Sequence, residues 1–318
     1  MSSTVPNSPT PLPSLEGRTY LVTGGNTGIG YRICLHLAAH SARVYMGARS
    51  VTKAASAISE IRKLHPNADI HPLILDHTSL ASVRSAAETL RQQEQRIHGI
   101  INNAGIMGTP FSQTSDGHEI QWQTNYLAHW LLTYLLLPTL LETAKSCPPG
   151  TVRIVNVSSD GHARFPPKGG VDFEHPNLES EGALTRYGQS KLANILHAKS
   201  LHAQYGPNST YATTPGNGEI WTAAVDPGHV DTQLNVKASS YLGMSWLLPV
   251  LKFAMLVKPD KGAKSSLFAV AGETFKRDMS GLYIGANAKV ETPSSLAKDE
   301  MLREKLEKWT KELMKLED

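Results

Sequence analysis

A chain of 318 residues with 40% hydrophobic and 19% charged side chains can bury a sizeable core, and a length of this order is common for one α/β sheet. The formal charge of +3, without a basic block interleaved with aromatics, argues against a nucleic-acid surface and suits an anionic small ligand. Cys34 and Cys147 are too few for a disulfide framework and lack metal-ligand spacing, so no metal is expected and a reducing, cytoplasmic compartment fits best.

Residues 1–14, rich in Pro, Ser and Thr, read as a loose tail without the basic flank and apolar centre of an export signal. A single domain is expected over 15–318. Strand-like runs lie near Thr19–Thr23, Arg43–Gly47, Asp69–Leu75, Gly99–Asn102, Val152–Val157, Trp221–Val225 and Leu282–Ile284. Helix-like runs lie near Gly28–Ala39, Lys53–Leu64, Ser79–Gln95, His118–Leu141, Tyr187–Gln204, Lys261–Ala271 and Leu296–Leu316. This alternation predicts an α/β fold, a Rossmann-type doubly wound, seven-stranded parallel sheet with helices on both faces. Two polar, Gly/Pro-bearing segments interrupt it. Asp160–Arg186 borders the predicted chemistry and is assigned to the substrate mouth, whereas Tyr205–Glu219, with its sequon Asn208-Ser209-Thr210, reads as a surface insertion. Trp246–Val257 is too short to span a bilayer and is broken by Pro249 and Lys252; Trp130–Leu141 suits a buried helix.

Four motifs carry chemistry. After the first strand, Thr23-Gly24-Gly25-Asn26-Thr27-Gly28-Ile29-Gly30 leads into a helix, where glycines allow a tight turn and let the helix N-terminus lie beneath a pyrophosphate. After the second strand, Gly47-Ala48-Arg49-Ser50 has no acid to accept hydrogen bonds from a ribose 2′-hydroxyl, while Arg49 can pair with a 2′-phosphate, so NADP(H) is favoured over NAD(H). The alternative is that Arg49 is only a surface arginine; Asn26 and Ser50 could add hydrogen bonds. Asn102-Asn103-Ala104-Gly105 offers small residues for close approach to the adenosine ribose and an Asn side chain to lock strands. Ser158-Ser159 closes an apolar run, and Tyr187-Gly188-Gln189-Ser190-Lys191 sets a phenol and an ammonium on one helix face. A free phenol titrates near about 10, and a cation beside it favours the phenolate, making the pair a general acid/base.

Together these motifs resemble the short-chain dehydrogenase/reductase family, single-domain type, from Gly17 to the Gly281–Gly285 stretch, with an overall pattern similar to its retinol-dehydrogenase and WW-domain-oxidoreductase branch. The resemblance implies cofactor contacts at Gly24, Asn26, Thr27, Gly28, Ile29, Gly30, Arg49, Asn102, Ala104, Gly105, Tyr187 and Lys191. It also implies that Asp76 meets the adenine amino group, although Asp76 could instead cap the next helix. In Asp226-Pro227-Gly228-His229-Val230-Asp231-Thr232 it implies that Pro227, Gly228, Val230 and Thr232 touch the nicotinamide carboxamide.

The implied mechanism makes Tyr187 the proton donor to a carbonyl oxygen as hydride arrives. Lys191 holds the nicotinamide ribose and lowers the phenol pKa, Ser159 (with Ser158 as alternate) polarises the carbonyl, and Asn125 supports a water leading to Lys191. His162, His229 and Arg164 are further candidates for the pocket wall. The segment from Ser159 to Tyr187 is longer than is usual in the family, which leaves the shape of the substrate mouth open.

A lid over 231–257, with Tyr241, Leu242, Met244, Trp246 and Phe253, points to a hydrophobic ketone or secondary alcohol, unless these side chains face a subunit or membrane. The expected activity is an NADPH-dependent carbonyl reductase or alcohol dehydrogenase. The alternatives are an imine or enone reductase or cyclase of natural-product biosynthesis, or a non-catalytic NADP(H) sensor. The resemblance also implies a homodimer built on the His118–Leu141 and Tyr187–Gln204 helices.

Overall fold

The structure, a computed structural model, describes residues 10–228 and 259–315. Seven strands, β1 (Thr19–Thr23), β2 (Arg43–Ala48), β3 (Ile70–Ile74), β4 (Gly99–Asn102), β5 (Arg153–Val157), β6 (Trp221–Val225) and β7 (Leu282–Ile284), run parallel in the order β3-β2-β1-β4-β5-β6-β7. A two-residue strand, β8 (Val290–Glu291), extends that edge antiparallel to β7. It is too short to leave an alternation pattern in the sequence.

The central strands are mostly apolar and buried along their length because both sheet faces are covered, whereas β3, at the edge, exposes Pro72 and Ile74. Successive residues enter different cores: Leu21, Ile100 and Ile154 pack on one face, Val22, Ile101 and Val155 on the other. Helices α1 (Gly28–Ala39), α2 (Val51–Leu64) and α6 (Pro259–Ala271) complete the second core. On the first lie α3 (Leu80–Gln93), α4 (Ala128–Lys145) and α5 (Ala183–Tyr205). In α2 the buried residues Ala54, Ala57, Ile58 and Ile61 follow helical spacing, and Ser50 starts the helix by accepting from Lys53 N at 3.3 Å.

The strand order reverses beside β1, so the carboxyl ends of β1 and β4 open a crevice. All the motifs follow carboxyl ends of parallel strands or face them. Before α4 the backbone makes a short turn, Ile120–Trp122, then a π-helical segment, Gln123–Leu127, rather than the continuous helix the periodicity predicts. Asn125 lies in that wider turn, a feature common at functional sites.

The last helix, α7 (Glu300–Leu313), lies over α5 and over the helical stretch before and into α4. Tyr126 and Thr310 share a hydrogen bond of 2.7 Å, Trp130 Nε1 donates to Glu307 at 3.1 Å, and the Trp122 and Trp309 rings are 6.2 Å apart. The long segment before Tyr187 also takes an unexpected course. Ser159–Gly161 reach Tyr187, the stretch 165–173 is strapped across α5 towards α7, and Asn177 and Arg186 bond to the loop after β4 at Glu119 N, at 2.7 Å, and Thr109 O, at 3.3 Å. The backbone at Phe165–Pro166 crosses at Gly188, where a Cβ would lie 2.6 Å from Pro166 N. Further on, Asp172 N donates to Gln189 at 2.9 Å, and Phe173 packs on Trp309 with ring centres 5.9 Å apart. Its assignment to the substrate mouth is therefore corrected for the stretch 165–173: apolar Phe173 finds a partner in α7. Likewise, part of the outer surface that the resemblance gives to a dimer is covered by the chain's own C-terminal helix.

Residues 205–219 form an insertion at the amino end of β6, on the edge opposite the crevice. There Arg277 clamps Asn208 at 3.1 Å and Glu219 at 2.9 Å.

Candidate active site

The turn after β1 has the shape the glycines predict. Gly24 has φ +63°, and a Cβ on it would sit 3.0 Å from the Ala104 Cα; a Cβ on Gly30 would overlap the Gly24 carbonyl oxygen. Thr27 is the extended N-cap residue of α1 but makes no side-chain cap, and the first turn holds no acid. The backbone N–H groups from Gly28 to Gly30, with Ile29 between them, thus form an N-terminus suited to an anion.

Thr23, the first residue of the glycine motif, organises this cradle. Its Oγ1 accepts from Asn103 N and Ala104 N, both at 2.9 Å, and Asn103 Nδ2 donates to Thr23 O at 2.8 Å. The strand lock is therefore Asn103. The Asn102 side chain points into the core, donating to Thr133 at 3.0 Å and Asn156 at 2.8 Å, which leaves its backbone alone on the crevice side.

Arg49 is exposed just beyond β2, and its charge acts on Asp76 after β3. Burial alone would raise the Asp76 carboxyl; hydrogen bonds from Thr78 N and Oγ1, at 2.9 and 2.8 Å, together with Arg49, hold it below its usual value. Asp76 does not cap α3. That role falls to Ser79, which accepts from Ser82 N at 3.2 Å.

On the catalytic side, Lys191 Nζ donates to Val157 O at 3.0 Å and lies 5.6 Å from the Tyr187 ring centre. A Cβ on Gly105 would be 3.3 Å from Asn125 Oδ1 and 3.5 Å from Lys191 Nζ, so Gly105, Asn125 and Lys191 meet. Asn125 is fixed through both side-chain atoms: Oδ1 accepts from Ile106 N at 2.9 Å, and Nδ2 donates to Ile106 O at 3.0 Å and Ser190 at 2.9 Å. Ser158 turns away, donating to Lys191 O at 2.7 Å. Ser159 is the serine beside Tyr187; its hydroxyl donates to Asp160 Oδ1 at 3.1 Å and accepts from Gly161 N at 3.1 Å.

The electrostatics differ from the expected activation of the phenol by lysine. Burial raises the Tyr187 pKa, and the opposing pull comes from Ser159 rather than from Lys191. Burial also pushes Lys191 down to about 8 against the charge of Asp226. Two ionisable groups shut away from water both favour their neutral forms. A protonated phenol is nonetheless the form required of a proton donor.

His129, Asp226 and Tyr283, for which no site role was expected, also shape the centre. His129 joins two motifs through Nδ1 to Asn125 O at 2.9 Å and Nε2 to Thr23 Oγ1 at 2.8 Å; burial holds it neutral, its pKa well below the ordinary value. Asp226 accepts from Gly228 N at 2.7 Å, beside Pro227, and from Tyr283 OH at 3.1 Å. Among thirteen histidines no spacing marks His129. Of the candidates for the pocket wall, His162 is buried and Arg164 is exposed and paired with Asp160 at 3.0 Å. His229, Val230, Thr232 and the 231–257 lid lie outside the described residues.

The model of the short chain dehydrogenase family matches residues 18–170. A short-chain dehydrogenase/reductase of Aspergillus calidoustus, drtF, is 49% identical over 309 residues, covering 96% of each chain. The chain belongs to the short-chain dehydrogenase/reductase family. It is also 38% identical over 273 residues to human retinol dehydrogenase 12, covering 85% of this chain and 78% of that one. A solved structure of an uncharacterised protein from Mycobacterium paratuberculosis superposes with a TM-score of 0.72 at 28% identity, covering 96% of both chains. Members of this oxidoreductase family bind nicotinamide cofactors. The Gly24–Gly30 turn, the uncapped start of α1 and the small residues at Ala104 and Gly105 fit such a dinucleotide. No described helix is long and apolar enough to cross a membrane.

Proposed function

We propose that this chain is an NADP(H)-dependent carbonyl reductase or alcohol dehydrogenase acting on hydrophobic ketones, aldehydes or secondary alcohols. One observation carries the reading: Ser159, Tyr187, Lys191 and Asn125 converge at the carboxyl ends of the strands, next to the anion cradle of Gly24–Gly30. Arg49, with no acid at the end of β2, supports the phosphorylated cofactor. The apolar composition of 231–257 and the likeness to a retinol dehydrogenase support a lipophilic substrate.

When bound, the nicotinamide supplies or accepts the hydride. The rest falls to the protein. Tyr187 delivers its phenolic proton to the substrate oxygen in reduction and recovers it in oxidation, and burial keeps that proton in place until the oxygen becomes basic. Ser159 donates a hydrogen bond to the same oxygen once its hydroxyl turns from Asp160. Lys191 is anchored by Val157 O, and Asn125 fixes the loop at Ile106 on its other side.

The test is titration with NADPH and NADH, followed by NADPH oxidation with all-trans-retinal, 2-decanone and acetophenone. Tyr187→Phe is expected to lower kcat by about 100-fold or more while NADPH binding is kept. Wild-type turnover in that variant would overturn the mechanism.

A further inference from the structure

The serine after β5 is held by a side chain that the proton-transfer chemistry does not use. His162 lies in the short helical turn Gly161–Arg164 and is 3% exposed. Its Nδ1 is 2.7 Å from the backbone carbonyl oxygen of Ser159, which also accepts the His162 backbone N–H at 3.1 Å. On the other side of the ring, Nε2 is 3.1 Å from the backbone N of Ser294. A carbonyl can only accept and an amide N–H can only donate, so both contacts demand one tautomer, with the proton on Nδ1.

The Tyr283 ring, from β7, packs on the imidazole with centres 5.0 Å apart and planes inclined by 60°. Its hydroxyl donates to Asp226 Oδ2 at 3.1 Å, and Asp226 Oδ1 accepts from Gly228 N at 2.7 Å. A continuous path therefore runs from the main chain of Ser159 through His162 and Tyr283 to the Pro227–Gly228 turn after β6. It ties together the ends of β5 and β6, the two strands whose following residues carry the serine and the turn assigned to the nicotinamide.

We infer that His162, backed by Tyr283 and Asp226 and held from behind by Ser294, is a positioning residue that fixes the Ser159 peptide and so the place of the Ser159 hydroxyl. The inference deepens the proposed reaction and rests on it. Ser159 sits at the first position of a tight turn, and a carbonyl freed from its anchor would let the Ser159 Cα, and with it Oγ, shift relative to the substrate oxygen. The imidazole fills the second lone pair of that carbonyl and resists the shift. Small misplacements of this kind are costly to turnover without affecting binding of the other reactant.

Three variants and a spectrum test it. With NADPH and all-trans-retinal, His162→Leu should lower kcat ~10- to 100-fold with KM for NADPH changed less than about twofold. His162→Asn, whose Nδ2 can take the place of Nδ1 as donor to Ser159, should recover most of that loss. Wild-type kcat in His162→Leu, or His162→Asn as slow as His162→Leu, overturns the inference, because packing alone would not separate the two. Should His162→Leu fail to fold, as thermal melting would show, Tyr283→Phe replaces it and should lower kcat about threefold to tenfold; unchanged kcat counts against the path. Long-range proton–nitrogen correlation of the imidazoles, with the His162 signals assigned by their loss in His162→Asn, should show the proton on Nδ1. A proton on Nε2 refutes the geometry whatever the turnover. Tyr187→Phe run in parallel keeps the two readings apart: its failure to abolish turnover counts against the reaction, whereas a dead Tyr187→Phe beside a fully active His162→Leu counts only against the positioning role.

Discussion

The two halves of the crevice are built on opposite principles. Around β1 and α1 the site is made of backbone: glycines without side chains, an uncapped helix start, and a threonine that gathers two N–H groups. Around β5 and α5 it is made of ionisable side chains pressed into a dry interior, with Tyr187 and Lys191 both 5% exposed or less. The first half offers an anion a fitting shape and has few charges to lose. The second holds groups whose charged forms are disfavoured where they stand, so the reactivity proposed for them comes at the expense of stability.

That contrast can be broken at three points. The largest effect is expected on the backbone side. Gly30→Val places a branched side chain against the Gly24 carbonyl oxygen and should weaken NADPH binding by about 100-fold or more, through loss of the helix-start site; fluorescence titration measures it, and tight binding in a folded variant would contradict the cradle. On the same side, Arg49→Glu should cost NADPH about 10- to 100-fold in affinity and leave NADH nearly unchanged or improved, since on the proposed reading the exposed guanidinium pairs with the 2′-phosphate. Parallel titrations with both cofactors decide it.

The smallest effect has the opposite sign. Folding lowers the Lys191 pKa from 10.5 to about 8, so the folded state binds that proton more weakly than the unfolded chain. The native protein then gains stability as pH rises from about 8 to 10.5 and carries the full penalty below about 8, which amounts to roughly 3 kcal/mol. Lys191→Met should abolish turnover yet raise the melting temperature at pH 7 by several degrees, since each kcal/mol is worth about 2–4 °C for domains of 150–250 residues and less for a longer chain. The gain should vanish near pH 10.5. Val157 O keeps a donor in Asn194 Nδ2, at 3.0 Å, so no carbonyl is orphaned.

The seven parallel strands were legible because most are rich in apolar residues and bounded by turn residues, and the glycine turn because its spacing has few other uses. Tyr187 and Lys191 were legible because four residues of helix fix their relation. What lay hidden depended on partners far along the chain. Asn102 and Asn103 differ by one position, and only the direction of alternation in β4 decides which faces the core. His129 and His162 owe their roles to Thr23 and Ser294, separated from them by 106 and 132 residues. The depressed phenol expected of a neighbouring lysine failed because helical spacing reports adjacency and says nothing of burial. The strap over α5 was misplaced because its destination, Trp309, is more than a hundred residues away in sequence.

The packing of α7 has a consequence for synthesis. Trp122, Tyr126 and Trp130 leave the ribosome long before residues 300–313, which supply Glu307, Trp309 and Thr310 to cover them. Through the later part of translation the nascent chain therefore carries an unfinished aromatic surface, the kind of surface that holding chaperones bind.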